Sequence, residues 1–329
     1  MTKTAQNIPS FEPLILDPAA ETDRIAEKIR HTVRFDLRKR GLVLGLSGGI
    51  DSSVSAALAV RALGSDNVVG IFMPENDSDP LSLRLGRSVA DTFGMKSVLE
   101  DIGPSLAAMG CYERRDNAIR KVVPEYGEGW VSKIVFDNAM TTGGYNISSL
   151  VVQSPQGELS KVRLSASAYL GIVAATNMKQ RTRKQFEYYH ADRLNFAVIG
   201  TPNLLEYDQG FFVKNGDGAA DIKPIAHLYK SQVYQLAAYL GVPEEIRARP
   251  PTTDTYSLPQ TQEEFYFAVP YDKMDICLYG LENDTPVSVI AAATGLSEEN
   301  VAFVWKDIVA KRKVAHYLHL PPVLISAGE

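Results

Sequence analysis

Four short apolar runs separated by helical segments constrain the fold of this chain more than any other feature. The runs occupy residues 42–46, 68–73, 96–102 and 196–199. The helical patterns around them cover residues 20–39, 52–64, 81–95, 104–122 and 166–194. Strands that alternate with helices of about 12–15 residues form parallel βαβ units, and strands that are apolar throughout are typical of a sheet covered on both faces. We therefore predict an α/β fold with a doubly wound parallel sheet and flanking helices.

Two segments interrupt this alternation. Residues 124–165 contain alternating apolar and polar residues on either side of a Ser-Pro-Gln-Gly turn, which predicts an inserted β-hairpin. Residues 245–272 are rich in Pro, Thr and Gln and indicate an ordered functional loop. We therefore divide the chain into an N-terminal arm at 1–19, a domain at 20–285 that carries the insertion, and a C-terminal helical subregion at 286–329.

Composition excludes several classes of partner. Of 329 residues, 34 are Lys or Arg and 39 are Asp or Glu, so the formal net charge of −5 provides no basic surface for nucleic acid. The two cysteines, Cys111 and Cys277, are too few for a disulfide framework or a four-cysteine zinc site and fit a reducing compartment. No apolar run approaches the ~18 residues of a membrane span, and the first residues do not resemble a secretory signal. We therefore predict a cytoplasmic protein that binds neither nucleic acid nor membrane.

The segment Leu-Ser-Gly-Gly-Ile-Asp-Ser-Ser at residues 46–53 lies between the first predicted strand and a predicted helix. Two glycines allow backbone N–H groups to turn toward an anion. The serines add hydroxyl donors, and the helix directs its positive N-terminus at the same point. No Gly-Lys-Ser/Thr follows, so this is not a Walker A loop. The segment predicts a phosphate-binding loop, and the alternative is an ordinary Gly-rich turn with Asp51 as the helix cap.

This loop resembles the pyrophosphate-binding loop of ATP pyrophosphatases, and a second segment resembles the NAD synthetases among them. Residues 177–221 match the NAD synthetase pattern of Asn, spaced Arg, a strand, a Gly-Thr loop that ends in Glu, and then Gly-Asp-Gly and Asp. The match continues through Pro224, Lys230 and Thr252, so the resemblance covers about residues 22–318 apart from the insertion. It implies the ATP pyrophosphatase fold.

The resemblance also implies an ATP-dependent amide ligase. Such an enzyme adenylates the nicotinate carboxylate of nicotinic acid adenine dinucleotide with release of pyrophosphate, and ammonia then displaces AMP to give NAD. Mg²⁺ is the implied cofactor, held by Asp51 and Glu206, which with Lys230 form the implied catalytic set. The implied contacts with ATP, the co-substrate, and with pyrophosphate are Ser47, Gly48, Gly49, Ser52, Ser53, Thr201, Lys230 and Thr252. The implied contacts with the dinucleotide are Arg181, Lys214, Asp217 and Asp221.

Many of the implied site residues have an ordinary structural alternative, namely a helix cap, a surface charge or a turn residue. The residues open to these alternatives are Asp51, Glu206, Lys230, Thr252, Lys214, Asp217 and Asp221. Two arginines, Arg181 and Arg183, lie two positions apart and do not share a helix face. We therefore expect only one of them, Arg181 by its register, to contact a ligand.

The loop before Glu206 departs from the family pattern. The family's Gly-Asn-Lys-Ser-Glu reads Pro202-Asn203-Leu204-Leu205-Glu206 here. Proline removes an N–H group, and two leucines replace a lysine and a serine. Either another cation takes the place of the lysine, or the nucleophile or the substrate differs. The alternatives are the same adenylate-forming amidation of another carboxylate, and a nucleotide-binding relative without catalysis.

The resemblance implies partners as well. A homodimer is expected, with the predicted long helix at 166–194 as its interface. About 40 residues precede the first predicted strand, whereas the glutaminase domain that some NAD synthetases carry needs a few hundred. We therefore expect the chain to use free ammonia, or ammonia supplied by a separate glutaminase.

Overall fold

Four parallel strands form the central sheet. In this computed structural model, which describes residues 11–136, 148–251, 256–259, 266–267 and 269–325, the strands are β1 Leu42–Gly45, β2 Val68–Phe72, β3 Lys96–Leu99 and β7 Ala197–Val198. Their order is β3-β2-β1-β7, and all neighbours pair in parallel. The chain proceeds outward from β1 to β3 and then returns to the other side of β1, so the strand order reverses there. The predicted doubly wound sheet is confirmed, and ligands of such sheets bind beside this reversal.

Helices cover both faces of the sheet. The helices up to the C-terminal part are α1 Pro18–His31, continued by a π-helical turn Thr32–Asp36, α2 Ile50–Leu63, α3 Pro80–Thr92, α4 Gly103–Ala108, α5 Cys111–Arg120, α6 Ala166–Leu194, α7 Leu204–Gln209, α8 Lys230–Tyr239 and α9 Glu244–Ala248. The single helix predicted over 104–122 is wrong. Gly110 adopts a left-handed conformation with φ +69°, which separates α4 from α5.

The alternation of side chains along β1 explains why the sheet is covered on both faces. Leu42 and Leu44 pack with α1, α2, α3 and α8, whereas Val43 packs on the opposite face with α4, α5 and α6. Successive residues of a strand point to opposite faces. A strand that is apolar at every position therefore needs a helical layer on each side.

An antiparallel sheet of three strands forms the insertion. β4 Val131–Phe136 pairs with β5 Ser148–Gln153, which pairs with β6 Leu159–Arg163. The predicted hairpin is confirmed as β5 and β6, with Gly157 at φ +88° in its turn. β4 is an additional strand, and residues 137–147 between β4 and β5 lie outside the described residues. Ile134, Leu150 and Val152 pack this sheet against α5 and α6.

Three helices build a second hydrophobic core: α10 Tyr271–Glu282, α11 Val287–Thr294 and α12 Glu298–His319. The two predicted C-terminal helices are confirmed as α11 and α12, whereas α10 was not predicted. The apolar side chains of the three helices enclose Leu205 of α7 and the fully buried Leu14. The described part of the N-terminal arm is therefore anchored in this core, while the division of the chain at 19 and 285 stays a prediction.

Among the described residues, no single helix combines the length and apolar character needed to cross a membrane, and α11 with α12 meets those criteria only as a pair bent by 103°.

Candidate active site

The predicted phosphate loop connects β1 to α2 at the carboxyl end of the sheet. Gly48 adopts φ +72°, and a Cβ there would lie 2.6 Å from the Ser82 carbonyl oxygen and 2.8 Å from Leu85 Cβ. Glycine alone fits this left-handed and closely packed position. The loop is thereby held against the first turn of α3.

The three serines of the loop have different positions. Ser53 is fully buried and donates to the Gly49 carbonyl oxygen at 2.7 Å, so its hydroxyl stabilises the turn. Ser52 donates to the same oxygen at 3.1 Å and lies 3.2 Å from the Ser47 hydroxyl oxygen. Ser47 and Ser52 line a cavity together with Gly48 and Gly49, whereas Ser53 is behind its wall.

An ion pair between Lys230 and Asp51 joins α8 to the start of α2. Lys230 Nζ lies 2.5 Å from Asp51 Oδ2, and the lysine side chain is only 2% exposed. Burial lowers the pKa of Lys230, but the negative charges of Asp51 and Glu206 outweigh burial and raise it above its usual value. The lysine therefore keeps a positive charge in the cavity wall at neutral pH, and the alternative of a surface lysine is wrong.

Asn203 links the two predicted metal ligands. Its Nδ2 donates to Asp51 Oδ1 at 3.0 Å, and its Oδ1 accepts the Glu206 N–H at 3.2 Å. The Glu206 carboxylate accepts the Asn203 N–H at 3.2 Å, which completes a capping box at the start of α7. Glu206 is buried and lines the cavity, so it is not a surface glutamate. Two carboxylates and one ammonium group thus belong to one hydrogen-bonded cluster.

The two leucines of the departing loop pack away from the cavity. Leu205 is 1% exposed in the second core, and Leu204 is partly buried against it. Neither lines the cavity, whereas Pro202 and Glu206 do. The lysine and serine of the family pattern are therefore replaced by leucines that pack against the second core in this chain.

Asp275 is a site residue that the sequence analysis missed. It is fully buried in α10, and its carboxylate accepts the backbone N–H groups of Lys230 at 3.2 Å and Ser231 at 2.7 Å. Burial raises the pKa of Asp275 to about 7, against the lowering effect of these hydrogen bonds and of Lys230. The carboxylate fixes the first turn of α8, from which Lys230 extends. A single acid within the apolar run at 274–278 is the sequence signal that could have identified it.

The cavity has a volume of about 840 Å³ and lies at the carboxyl ends of β1 and β2. Its wall includes the phosphate loop, Asp51, Glu206 and Lys230, and Thr201, which follows β7. Further wall residues come from α6 and from residues 210–213. This volume is within the range of small-molecule sites, and its place beside the strand reversal is where an α/β sheet binds ligands.

Asp217 and Glu187 are among the further carboxylates that line the cavity. Burial raises the pKa of Asp217, although the Val213 N–H that it accepts at 2.9 Å and the nearby Lys184 oppose the shift. Glu187 is paired with Lys184 at 2.6 Å, and burial raises its pKa as well. Asp217 is thus at once a residue that holds its turn and a residue of the cavity wall.

Arg181 and Lys214 lie outside the cavity wall in the part of the chain that the structure describes. Arg181 Nε donates to the Lys214 carbonyl oxygen at 3.2 Å. Lys214 Nζ donates to the carbonyl oxygens of Tyr317 at 2.9 Å and Leu320 at 3.0 Å, at the end of α12. Lys214 therefore caps a helix C-terminus here, and contacts of both side chains with the dinucleotide stay predictions.

Asp221 holds the edge of the central sheet. Its carboxylate accepts the Val198 N–H of β7 at 2.7 Å.

Arg183, for which we expected no ligand contact, lines the cavity and donates from Nε to the Met73 carbonyl oxygen at 3.4 Å. Thr252 lies outside the described residues. Ligand contacts of Asp221 and Thr252 stay predictions, and the cavity favours Arg183 over Arg181.

A buried charge network next to the cavity was also not predicted. Glu75 follows β2 and lines the cavity, and its Oε1 lies 2.9 Å from Lys179 Nζ on α6. Its Oε2 accepts the Tyr112 hydroxyl at 2.9 Å, and Lys179 also pairs with Asp77 at 2.5 Å. The network fixes the loop after β2 against α6. Lys179 occupies a position that the helical period of α6 places on the buried face. A lysine at such a position is the sequence signal that could have indicated this network.

Known proteins are similar to this chain over nearly its whole length. The family model described as NAD synthase matches residues 21–125 and 137–321. The NH(3)-dependent NAD(+) synthetase of Rhizobium meliloti (strain 1021) is 69% identical over 320 residues, which covers 97% of this chain and 96% of that protein.

Two solved structures have the same architecture. The NMN synthetase from Francisella tularensis superimposes with a TM-score of 0.66 at 22% identity, covering 95% of this chain and 100% of that one. The NH3-dependent NAD synthetase from Campylobacter jejuni subsp. jejuni NCTC 11168 superimposes with a TM-score of 0.62 at 22% identity, covering 94% of this chain and 100% of that one. At this identity the two structures show the shared fold alone.

Proposed function

The chain belongs to the NAD synthase family, and on this premise we propose that it is an ATP-dependent amide ligase that takes its nitrogen from ammonia. It adenylates the nicotinate carboxylate of nicotinic acid adenine dinucleotide and transfers ammonia to give NAD, AMP and pyrophosphate. The observation that carries the proposal is the buried Lys230–Asp51 ion pair, which lines the same cavity as the phosphate loop.

In the first half-reaction, a carboxylate oxygen of the dinucleotide attacks the α-phosphorus of ATP, and the bond to the bridging oxygen of pyrophosphate breaks. Negative charge accumulates on the phosphate oxygens and on the leaving group. Lys230 offers these oxygens a permanent positive charge, since its pKa is raised. The loop N–H groups and the Ser47 hydroxyl add hydrogen bonds, and Ser52 adds one when its hydroxyl turns from the Gly49 carbonyl oxygen to the phosphate. Donors that are fixed before the substrate binds need little reorganisation in the transition state.

In the second half-reaction, ammonia attacks the acyl carbon of the adenylate, and AMP leaves with the electron pair of the broken C–O bond. The attacking nitrogen becomes positively charged and has to lose a proton to a base. Asp217 and Glu187 are the cavity carboxylates whose pKa burial raises. A carboxylate with a raised pKa is a better proton acceptor than an ordinary one near neutral pH.

We propose that Mg²⁺ binds to Asp51 and Glu206. Both line the cavity and share Asn203 as a hydrogen-bond partner. An ionised carboxylate offers about four lone-pair positions, and one or two carboxylates with substrate phosphates are a ligand set that Mg²⁺ accepts. When bound, the ion neutralises charge on the phosphate oxygens. Lys230 and Asn203 orient Asp51 for this role.

The remaining proposals concern partners. We expect a homodimer through α6, which exposes the apolar side chains Leu170 and Tyr189. Light scattering at micromolar concentration tests this, and a monomeric mass would contradict it. We also propose a cytoplasmic location, and free ammonia or a separate glutaminase as the nitrogen source.

The central test is to incubate the purified protein with nicotinic acid adenine dinucleotide, Mg-ATP and ammonium. We expect NAD and AMP in equal amounts, and only when all three substrates are present. ATP–pyrophosphate exchange only with a different acid would overturn the proposal that the dinucleotide is the substrate. ATP binding without release of AMP would overturn the proposal that the protein is a ligase.

A further inference from the structure

Arg249 places a cation in the cavity wall that the reaction described above does not use. It directly follows α9 and precedes Pro250, and its backbone is extended at φ −75° and ψ 129°, as expected for a residue before proline. Its side chain is 17% exposed and lines the same cavity as the phosphate loop.

The guanidinium group lies beside the phosphate loop. Its Nη2 is 3.1 Å from Asp79 Oδ2, and its Nη1 is 3.5 Å from Ser82 Oγ. Ser82 is also the residue whose carbonyl oxygen would lie 2.6 Å from a Cβ at Gly48. A single residue of α3 therefore separates Arg249 from the glycine turn.

Arg249 retains N–H groups for a ligand. A guanidinium carries five N–H donors in a planar fork, and within the described residues its acceptors are Asp79 and Ser82. The Asp79 side chain is 46% exposed, and solvent weakens the attraction between exposed charges. A phosphate group that accepts two N–H groups in parallel is a stronger partner for arginine.

We propose that Arg249 binds the β- and γ-phosphates of ATP and holds the pyrophosphate after the first half-reaction. The inference rests on the proposed function, because pyrophosphate is a product of that reaction. Lys230 and Arg249 then supply two positive charges to a strongly negative leaving group, and their attachments differ. Lys230 is buried and fixed by Asp51, whereas Arg249 is held by a partly exposed acid from which a phosphate can draw it.

Calorimetric titration of the purified full-length protein with Mg-pyrophosphate, and separately with AMP, tests the proposal. Arg249→Gln removes the charge and the guanidinium fork but keeps a polar side chain, and we expect it to weaken pyrophosphate binding about 10- to 100-fold. AMP lacks the β- and γ-phosphates, so its affinity should change by less than about twofold. Arg249→Lys keeps the charge without the fork and should lose about 3- to 10-fold in pyrophosphate affinity.

Two further variants separate binding from packing. Arg84→Gln is the matched control, since Arg84 pairs with Glu245 and also joins α3 to α9, yet does not line this cavity. It should leave pyrophosphate affinity within about twofold. Asp79→Asn releases the guanidinium from its carboxylate, and we expect it to strengthen pyrophosphate binding about two- to fivefold.

The outcomes distinguish this inference from the function on which it rests. Wild-type protein that binds pyrophosphate while Arg249→Gln binds it equally well would overturn the inference alone, as would a parallel loss of AMP and pyrophosphate affinity in that variant. Wild-type protein that binds neither AMP nor pyrophosphate would overturn both.

Discussion

The predicted phosphate side and the predicted dinucleotide side of the site are held together in different ways. On the phosphate side, the Asp51 carboxylate binds the side chains of both Lys230 and Asn203, and Asp51 and Lys230 line the cavity. On the dinucleotide side, Arg181 and Lys214 donate to backbone carbonyl oxygens outside that wall. Side chains fixed inside the cavity wall are therefore concentrated among the predicted phosphate contacts, and Asp217 is the predicted dinucleotide contact that shares this wall. The following variants test this contrast, and the largest expected effects come first.

Removal of one charge on the phosphate side should have the largest effect. Asp51→Asn keeps an acceptor for Asn203 but removes the negative charge opposite Lys230. We expect ATP–pyrophosphate exchange with nicotinic acid adenine dinucleotide to fall about 100- to 1,000-fold. Asp66→Asn removes an exposed acid paired with Lys96 and should leave exchange unchanged. Undiminished exchange in Asp51→Asn would contradict the proposal that Asp51 is a metal ligand.

Asp275 tests whether the position of Lys230 matters as much as its charge. Asp275→Ala leaves two backbone N–H groups of α8 without their acceptor, and Asp275→Asn keeps one acceptor oxygen. We expect kcat to fall about 100-fold in the alanine variant and about 10-fold in the asparagine variant, with the KM for ammonia little changed. Asp17→Asn is the control, because Asp17 also accepts two backbone N–H groups at a helix start, at the exposed N-terminus of α1. A kcat that falls no further than in the control would make Asp275 a purely structural cap.

The pH dependence of stability gives a smaller and independent signal. The pKa of Asp275 is raised to about 7 in the folded protein, above the value of about 4 for an exposed aspartate. The folded state therefore binds a proton there that the unfolded chain has released, and this group's contribution to the free energy of unfolding falls as pH rises from about 4 to 7. Asp275→Asn lacks this fall, so it should gain up to about 2 kcal/mol on wild type between about pH 5 and 7. Urea unfolding of both proteins measures the difference, and parallel curves would contradict the shift.

The smallest effect is expected on the dinucleotide side. Lys214→Gln removes a charge that caps α12 and should lower stability by about 0.5–1 kcal/mol. If Lys214 also contacts the dinucleotide, its KM should rise about three- to tenfold with kcat unchanged. Lys313→Gln, at an exposed position of the same helix, is the control. A change in stability alone would leave Lys214 as a helix cap and sharpen the contrast between the two sides.

What the sequence could predict depended on how local the signal was. The phosphate loop is a continuous pattern between a strand and a helix, and the predicted parallel sheet followed from repeated βαβ units. Glu206 and Lys230 came from a resemblance, which carries long-range information that periodicity lacks. Asp275 contacts Lys230 across 45 positions of the chain, and no local pattern indicates which buried N–H groups it accepts.

The departure at Leu204 and Leu205 shows the same limit from the other direction. Comparison of residue types suggested that a cation had been lost beside the reacting centre. The direction in which those side chains point depends on the packing of α7 against the C-terminal helices. That packing is a tertiary contact, so the loop sequence alone could not predict it. The loop sequence does show that a lysine and a serine have been replaced by leucines.

The two-sided packing of α7 has a consequence for exchanging segments between relatives. The helix has six residues and is capped by Asn203, with Glu206 of its first turn lining the cavity and Leu205 facing the second core. Transfer of the family's usual loop sequence would replace Leu205 by serine, and loss of a buried leucine side chain costs about 2–5 kcal/mol. A graft that aims to change the chemistry at Glu206 therefore has to bring with it the parts of α10 and α12 on which α7 rests.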